Sequence, residues 1–131
     1  MEILTFLLFV IILMIPIGAI LLLASPVLFR GGPYVATSLP STAKAIELAS
    51  PQPGELFIDL GSGDGRLLLA AAKRGAQVIG YETNPYLVWQ SRRLLAKNGF
   101  AKQSQVIWGN LWKADLFKSD VISVFILPNL L

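Results

Sequence analysis

The segment Asp59-Leu-Gly-Ser-Gly-Asp-Gly-Arg66 lies between a strand-like apolar run, residues 56–58, and a helix-like run, residues 67–73. Its three alternate glycines allow the backbone to turn sharply and to pass close to a ligand without a side-chain clash. The first N–H groups of the following helix lack partners within the helix and point at the same turn. The pattern therefore predicts a strand, a ligand-binding loop and a helix. The three glycines are Gly61, Gly63 and Gly65.

The spacing of the glycines separates two classes of ligand. Dinucleotide-binding folds favour a third glycine five residues after the first, which leaves room for a pyrophosphate at the helix N-terminus. Here that position is Arg66. The order Asp-x-Gly-x-Gly-x-Gly instead resembles the first motif of class I S-adenosylmethionine-dependent methyltransferases, whose ligand carries no phosphate.

Glu82 provides a second test of this interpretation. It closes the strand-like run 77–81 and lies 21 residues after Gly61, where a ribose-binding carboxylate is expected at the end of the next strand. An ionised carboxylate can accept hydrogen bonds from both ribose hydroxyls. The alternative is that Glu82 is a solvated residue at a strand end and that the glycine-rich loop is an empty turn.

The composition excludes several kinds of chemistry. The chain has 131 residues, 54% of them hydrophobic, a formal net charge of +3, and neither histidine nor cysteine. A thiol nucleophile, a Ser-His-Asp triad, a zinc site of His and Cys, and a disulfide are therefore all impossible. Methyl transfer requires none of these groups, and we expect no metal.

Residues 3–24 are the most apolar part of the chain, with 22 residues and no charge. As a helix they would span about 33 Å, which matches a bilayer core of about 30 Å. A cleaved signal peptide is the rival interpretation, but Glu2 replaces the usual basic start, the run is too long, and Leu22 spoils the small-residue cleavage pattern. We expect residues 1–29 to be a retained transmembrane anchor instead of a signal peptide or a buried core helix.

The charges around this anchor predict its orientation. Glu2 alone precedes the apolar run, whereas Arg30 and Lys44 follow it. Because basic flanks stay on the cytoplasmic side of a membrane, the C-terminal domain is expected to face the cytoplasm. The sequence thus predicts a single-pass membrane protein.

The remainder of the chain alternates between strand and helix patterns. Residues 30–54 are expected to form a linker and a pre-domain helix, residues 41–49, and residues 55–131 the cofactor-binding domain. Four strands with right-handed crossovers predict a parallel, Rossmann-like α/β sheet of order 3-2-1-4, with the ligand at the carboxyl ends of strands 1 and 2. The predicted elements are strands 56–60, 77–82, 105–109 and 121–127 and helices 65–74 and 85–98.

The predicted helix 85–98 has the clearest local pattern. Asn84 can cap it and Pro85 suits its first turn. Its basic residues lie mostly away from the apolar face and are expected to be solvated. The apolar face comprises Leu87, Val88, Ser91, Leu94 and Leu95, and the basic residues are Arg92, Arg93 and Lys97.

Longer segments narrow the resemblance to one family. In order and spacing they are similar to the small membrane-anchored protein-lysine methyltransferases of the ATP synthase c-subunit and the adenine nucleotide translocase, and to their prokaryotic relatives. The similarity covers residues 32–128 and the N-terminal span. A complete class I core usually adds three strands, so this sequence is truncated, naturally short or completed by a partner. Besides the glycine-rich loop, the segments are Gly32-Pro-Tyr-Val-Ala-Thr-Ser38, Gly80-Tyr-Glu-Thr-Asn-Pro-Tyr-Leu-Val88, Asn110-Leu-Trp-Lys113 and Val124-Phe-Ile-Leu-Pro128.

The resemblance implies a binding site for S-adenosyl-L-methionine. It assigns the methionine part and the backbone contacts to the loop, the ribose to Glu82, and the adenine side to Asn84 and Asn110. Asn110 stands where the family commonly has Asp; an amide carbonyl can still accept a hydrogen bond, without the charge. The implied loop residues are Asp59, Gly61, Ser62, Gly63, Asp64 and Gly65.

Two flanking segments complete the implied site. Tyr34 and Thr37 belong to a pre-domain segment that could close over the cofactor. Pro128 and Asn129 would lie at the end of strand 4, near the methyl acceptor, where they are the candidate catalytic residues. Pro128 could equally be a simple strand stop.

The resulting expectation is a membrane-tethered methyltransferase that acts on lysine of a membrane protein. One alternative keeps the cofactor but takes a lipid-soluble small molecule as acceptor, and another is a non-catalytic cofactor-binding module. A nicotinamide oxidoreductase is the most distant possibility. The sequence shows no interleaving of aromatic and basic residues of the kind that single-strand binders use, so no nucleic-acid partner is expected.

Overall fold

The computed structural model describes residues 2–30 and 37–124. One long helix precedes an α/β unit, and two short 3-10 turns flank the third strand. The helices are α1 (Glu2–Arg30), α2 (Leu39–Ala49), α3 (Arg66–Ala72) and α4 (Pro85–Lys97). The strands are β1 (Leu56–Leu60), β2 (Gln77–Glu82), β3 (Ser104–Trp108) and β4 (Val121–Val124), and the 3-10 turns are Ala101–Gln103 and Leu111–Lys113.

Helix α1 contains the predicted apolar run. Within it, Ile3–Leu23 is a stretch of 21 residues long and apolar enough to cross a membrane by length and composition, and none of this stretch is buried. Signal sequences also lie near the N-terminus and have the same apolar character. By length and composition, α1 therefore fits either a membrane anchor or a signal sequence.

The four strands form one parallel sheet of order β3-β2-β1-β4, which confirms the predicted order. Leu60 pairs with Tyr81 of β2, and Glu82 pairs with Trp108 of β3. The carboxyl ends of β1, β2 and β3 consequently meet at one edge of the sheet, called the carboxyl edge below. Strand β3 begins and ends one residue earlier than predicted. Gly109 lies just beyond the strand, although its N–H still donates to the Glu82 carbonyl at 3.0 Å.

The hydrophobic core lies between one face of the sheet and helices α2, α3 and α4. Alternate residues of the three neighbouring strands point to this face, as expected for a strand period of two. Burial of each large aliphatic or aromatic side chain contributes about 1.5–3 kcal/mol. The core comprises Ile46, Phe57, Leu68, Ala71, Ala72, Ala76, Val78, Val88, Leu95 and Val106.

Local signals fix the starts of two helices. The Asn84 side chain accepts a hydrogen bond from the Tyr86 N–H at 3.0 Å, which confirms it as the cap of α4. Helix α2 begins at Leu39, two residues before the prediction, because the Ser38 hydroxyl caps it by accepting from the Ser41 N–H at 3.2 Å. Pro40 lies in the first turn of α2, a position where proline is compatible with a helix.

The exposed side of α4 differs from its prediction at one residue. Leu87, Val88, Ser91 and Leu95 are buried as expected, Leu94 of the predicted face is only half-buried, and the basic residues are exposed. Arg92, however, donates from Nε at 3.1 Å and from Nη2 at 2.7 Å to the Val106 carbonyl. Since β3 pairs only with β2 within the described sheet, Arg92 satisfies a carbonyl on an otherwise open strand edge.

Gly80, in the middle of β2, allows the glycine-rich loop to pack directly on the sheet. A Cβ at this position would lie 2.6 Å from Leu68 Cδ1 and 2.6 Å from Ser62 Oγ. A Cβ at Gly65, just before α3, would likewise clash with Ser91 of α4. The loop and both helices thus approach each other at positions where the chain carries no side chain or a small one.

Gly80→Ala tests this packing. The added methyl should lower the free energy of unfolding by about 1–3 kcal/mol, the usual cost of overpacking a well-packed site. Thermal unfolding of the full chain in detergent micelles would measure the change. Gly109→Ala is the matched control, because its Cβ would meet nothing closer than Ile107 Cγ2 at 3.9 Å. Equal stability of the two variants would contradict the packing argument.

Candidate functional site

The loop after β1 is held against the end of β2 by backbone hydrogen bonds. The N–H groups of Gly61 and Ser62 both donate to the Tyr81 carbonyl, at 2.8 and 3.0 Å. The φ angles of the three glycines are positive, 88° at Gly61, 55° at Gly63 and 85° at Gly65, and side chains other than glycine rarely adopt such values. The sharp turn predicted from the alternate glycines is confirmed.

Glu82 is the side chain that joins this loop to β2. Its Oε2 accepts from the Gly63 N–H at 2.9 Å, and its Oε1 accepts from the Asn84 N–H at 2.8 Å. The residue is buried, with 9% of its surface exposed, so the interpretation of Glu82 as a solvated strand end is wrong. A carboxylate offers about four acceptor positions. The Thr83 hydroxyl also donates to Oε1, at 3.4 Å. One position is therefore free for a ligand hydroxyl, and a second becomes free when the Thr83 hydroxyl rotates away.

Asp59 is a second buried carboxyl at the same edge. It lies next to the last residue of β1, and 4% of its surface is exposed. Burial raises its pKa from 3.8 to about 7; a hydrogen bond with the Ser123 side chain opposes this shift, and the charge of Glu82 adds to it. A cation placed near the two carboxyls would favour the ionised form of Asp59. The site is therefore suited to a positively charged ligand.

Arg66 connects the loop to the segment before α2. Its Nε donates to both carboxylate oxygens of Asp64 at 3.0 Å, and its Nη1 donates to the Thr37 carbonyl at 2.6 Å. The Asp64 carboxylate is thus already engaged by a fork of charged donors. From the sequence alone, Arg66 argues against a dinucleotide motif, but its bridge to Thr37 is not predicted. Opposite charges two residues apart in the loop were the available signal.

Ser62 contributes to the site differently from the expectation. Its hydroxyl is buried, packs against Gly80 and has no hydrogen-bond partner among the described residues. The side chain is therefore directed into the protein. Its contribution to a bound ligand is reduced to shaping the loop backbone.

The two asparagines assigned to the adenine side both cap local structure at the carboxyl edge. Asn84 Oδ1 accepts from Tyr86, and Asn110 Oδ1 accepts from the Trp112 N–H at 3.0 Å. Each amide retains further hydrogen-bonding capacity. Their contact with adenine stays a prediction.

The described structure brings most of the predicted site together. The loop, both buried carboxyls and both asparagines lie at the carboxyl edge, with Thr37 tied to the loop through Arg66. Tyr34, Pro128 and Asn129 lie outside the described residues. Within residues 2–30 and 37–124, no group of three or more Asp or Glu side chains could hold a metal ion.

Comparison with known proteins places this geometry in a family. A model of the ANTKMT methyltransferase domain matches residues 59–131. The chain is 33% identical over 99 residues to the ATP synthase C-subunit lysine N-methyltransferase of Xenopus laevis, covering 76% of this chain and 43% of that protein. It is 37% identical over 100 residues to the adenine nucleotide translocase lysine N-methyltransferase of Mus musculus, with the same two coverages of 76% and 43%.

A solved structure has a related fold. The RNA methyltransferase of Salinibacter ruber, crystallised with S-adenosyl-L-homocysteine, aligns with a TM-score of 0.69 and 34% identity over 73% of this chain and 63% of that one. The resemblance seen in the sequence is thereby confirmed. The chain spans 43% of the length of the two curated relatives.

The buried Asp59 predicts a dependence of stability on pH. Between pH 3.8 and about 7 the folded chain keeps a proton on Asp59 that the unfolded chain has released. The contribution of this group to stability is complete below the lower value and is lost as the pH rises through the upper one, at up to about 1.4 kcal/mol per pH unit. Asp59→Asn should therefore flatten the decline.

Chemical unfolding of the full chain in detergent, across this pH range, would measure the effect. Asp115→Asn, which removes an exposed carboxylate, is the matched control and should follow the wild-type profile. An Asp59→Asn profile as steep as that of wild type would show that Asp59 does not hold the proton.

Proposed function

Because the chain belongs to the ANTKMT methyltransferase domain family, we propose that it binds S-adenosyl-L-methionine at the carboxyl edge and transfers the methyl group. The observation that carries the proposal is the buried carboxylate of Glu82. It is fixed by two backbone N–H groups beside the glycine-rich loop, where it can accept from both ribose hydroxyls.

The residues present fit this cofactor. Glu82 would hold the ribose, the loop from Gly61 to Gly65 would lie along the methionine part, and Asn84 and Asn110 would flank the adenine. The cofactor is a sulfonium, and its positive charge near the two carboxyls would favour the ionised form of Asp59. Thr37, tied to the loop by Arg66, and Tyr34 would cover the site.

The cofactor supplies an activated methyl group, so the protein does not need a nucleophile of its own. Its tasks are to align donor and acceptor and to exclude water. A lysine acceptor must lose its proton, which a dry pocket promotes by disfavouring the ammonium. We assign the acceptor side to Pro128 and Asn129 on the family resemblance alone.

Two variants test the cofactor site. Glu82→Ala should weaken binding of S-adenosyl-L-homocysteine by about 10- to 100-fold, the effect of losing charge-assisted hydrogen bonds. Gly63→Val should nearly abolish binding, because a β-branched residue is strained at a φ of 55°. Isothermal titration calorimetry of the full chain would measure both affinities.

Glu47→Ala is the control, since it removes an exposed carboxylate of α2 that pairs with Lys44 at 3.1 Å. It should bind like wild type. If both site variants also bind like wild type, the ligand does not occupy the carboxyl edge.

We further propose that α1 is a retained, single-pass membrane anchor with the α/β unit in the cytoplasm. Its 21-residue apolar stretch has no buried side chains that would mark it as a core helix. The acidic start and the basic residues that follow it favour an anchor in this orientation. An anchor would hold the site close to the exposed loops of integral proteins and raise their effective concentration.

Lysine of a membrane protein is the proposed methyl acceptor. The support is the similarity to two lysine methyltransferases, one of the ATP synthase C-subunit and one of the adenine nucleotide translocase. RNA is the second candidate, because one of the similar solved structures is an RNA methyltransferase. A lipid-soluble small molecule and a non-catalytic binding module are the remaining alternatives.

Transfer of a labelled methyl group separates these acceptors. The full chain would be incubated with labelled S-adenosylmethionine and membranes from cells that lack its gene, and the protein, lipid and RNA fractions would be counted. We expect label in protein at about tenfold or more above Gly63→Val, because that variant should lose the cofactor. Mass spectrometry should place the methyl groups on lysine.

Label confined to the lipid or the RNA fraction would overturn the lysine assignment and identify the alternative. Cofactor binding without label in any fraction would support the non-catalytic module.

A further inference from the structure

Helix α4 carries an exposed stripe of aromatic and basic residues. Tyr86, Trp89, Arg93 and Lys97 follow one another at intervals of three or four positions, which places them on one helix face. The Tyr86 and Trp89 rings lie 5.9 Å apart, and the Arg93 guanidinium carbon lies 5.4 Å from the Trp89 ring centre. The stripe is therefore an ordered surface, and the expectation that the sequence has no interleaving of aromatic and basic residues is wrong for α4.

Two further tryptophans lie at the ends of neighbouring elements. Trp108 ends β3, and its indole N–H donates to the Thr83 carbonyl at 2.9 Å, just before α4 begins. Trp112 lies in the 3-10 turn that follows β3, next to the exposed Lys113. Both belong to the carboxyl edge, where α4 also starts. We call Tyr86, Trp89, Trp108 and Trp112 the aromatic rim.

The exposure of the aromatic rim is unusual. All four side chains are more than half exposed, from 53% for Trp89 to 78% for Trp112, and the rim contains all three tryptophans of the chain. Large aromatic residues are normally buried to a high degree, and a cluster of exposed ones marks an interaction surface.

The residues around the rim are basic. Arg93 and Lys113 are exposed, Lys97 continues the stripe one turn further along α4, and α4 contains no acidic residue. Tryptophan and tyrosine with cationic neighbours are characteristic of the interface between water and lipid, where the rings lie at the headgroup level and the cations attract anionic lipids.

We propose that the aromatic rim docks on the anionic headgroup region of the membrane that α1 crosses. The inference rests on the proposed anchor and not on methyl transfer. Thr37 follows the end of α1 at Arg30 by seven positions, and such a length reaches at most about 25 Å. The α/β unit is therefore confined near the membrane surface.

The contacts within the rim favour lipid over nucleic acid. Arg93 covers the Trp89 ring on which a base would stack, and the Trp108 N–H is already bonded to Thr83. Docking through the rim turns the carboxyl edge, with Glu82 and the glycine-rich loop, towards the bilayer. The acceptor would then be a residue close to the membrane surface.

Tryptophan fluorescence of the full chain in lipid nanodiscs tests the proposal directly, because every tryptophan belongs to the rim and none to α1. Lipids brominated near the headgroup should quench the fluorescence about twofold in nanodiscs that contain phosphatidylserine. Quenching should be weaker in phosphatidylcholine alone and in high salt, because the attraction of the cations to the surface is screened.

Arg93→Gln combined with Lys113→Gln should reduce the quenching to the level of phosphatidylcholine alone, because Arg93 lies over Trp89 and Lys113 follows Trp112. Lys102→Gln combined with Lys118→Gln is the matched control: it also removes two exposed cations, but these residues precede β3 and β4 and so lie away from the carboxyl edge. Both double variants should bind S-adenosyl-L-homocysteine like wild type, which shows that they are folded.

Three outcomes would overturn the proposal. A chain that fails to insert into nanodiscs would refute the anchor and the docking with it. A chain that inserts but is not quenched by brominated lipid would refute the docking and leave the anchor standing. Stronger quenching by single-stranded RNA than by lipid would make nucleic acid the partner of the rim.

Discussion

The turn after β1 depends on a backbone passing over the end of a neighbouring strand with no side chain between them. Gly61 and Ser62 donate to the carbonyl of Tyr81, and Gly63 donates to the Glu82 carboxylate. This approach requires positive φ angles in the loop and the missing side chain of Gly80 beneath it. The site exists because these two requirements are met together.

Two carboxyls at the same edge oppose this arrangement energetically. Asp59 and Glu82 are both buried, and burial, together with the nearby Glu82 carboxylate, raises the pKa of Asp59. The loop N–H compensates Glu82 by donating to it, whereas Asp59 has the Ser123 hydrogen bond and a pKa raised to about 7. A cationic ligand would remove the remaining conflict. Without a cationic ligand, the two buried carboxyls lower the stability of the protein. Such a loss of stability at a binding site is consistent with a trade-off between stability and function.

The sequence predicted those parts of the fold that rest on local pattern. The strand order, the loop turn, the cap at Asn84 and the position of Glu82 follow from glycine spacing, the alternation of strands and helices, and the 21-residue interval from Gly61 to Glu82. The contacts that were missed join residues distant in sequence. Arg66 reaches Thr37 across 29 positions, and Arg92 reaches Val106 across 14. No periodicity or propensity encodes such pairs, because they arise only when separate elements are packed.

The aromatic rim is a surface that local sequence patterns likewise do not predict. Along the chain, Trp89, Trp108 and Trp112 are unrelated residues of a helix, a strand and a turn. The parallel register places the end of β3 beside the end of β2, and therefore beside the start of α4. The same register places Glu82 next to Trp108 as strand partners. Because the proposed ribose-binding carboxylate and the rim are thus neighbours at one sheet edge, any surface that holds the rim also determines which acceptors can reach the methyl group. In a reaction that depends mainly on positioning, such orientation of the whole domain acts as a determinant of specificity.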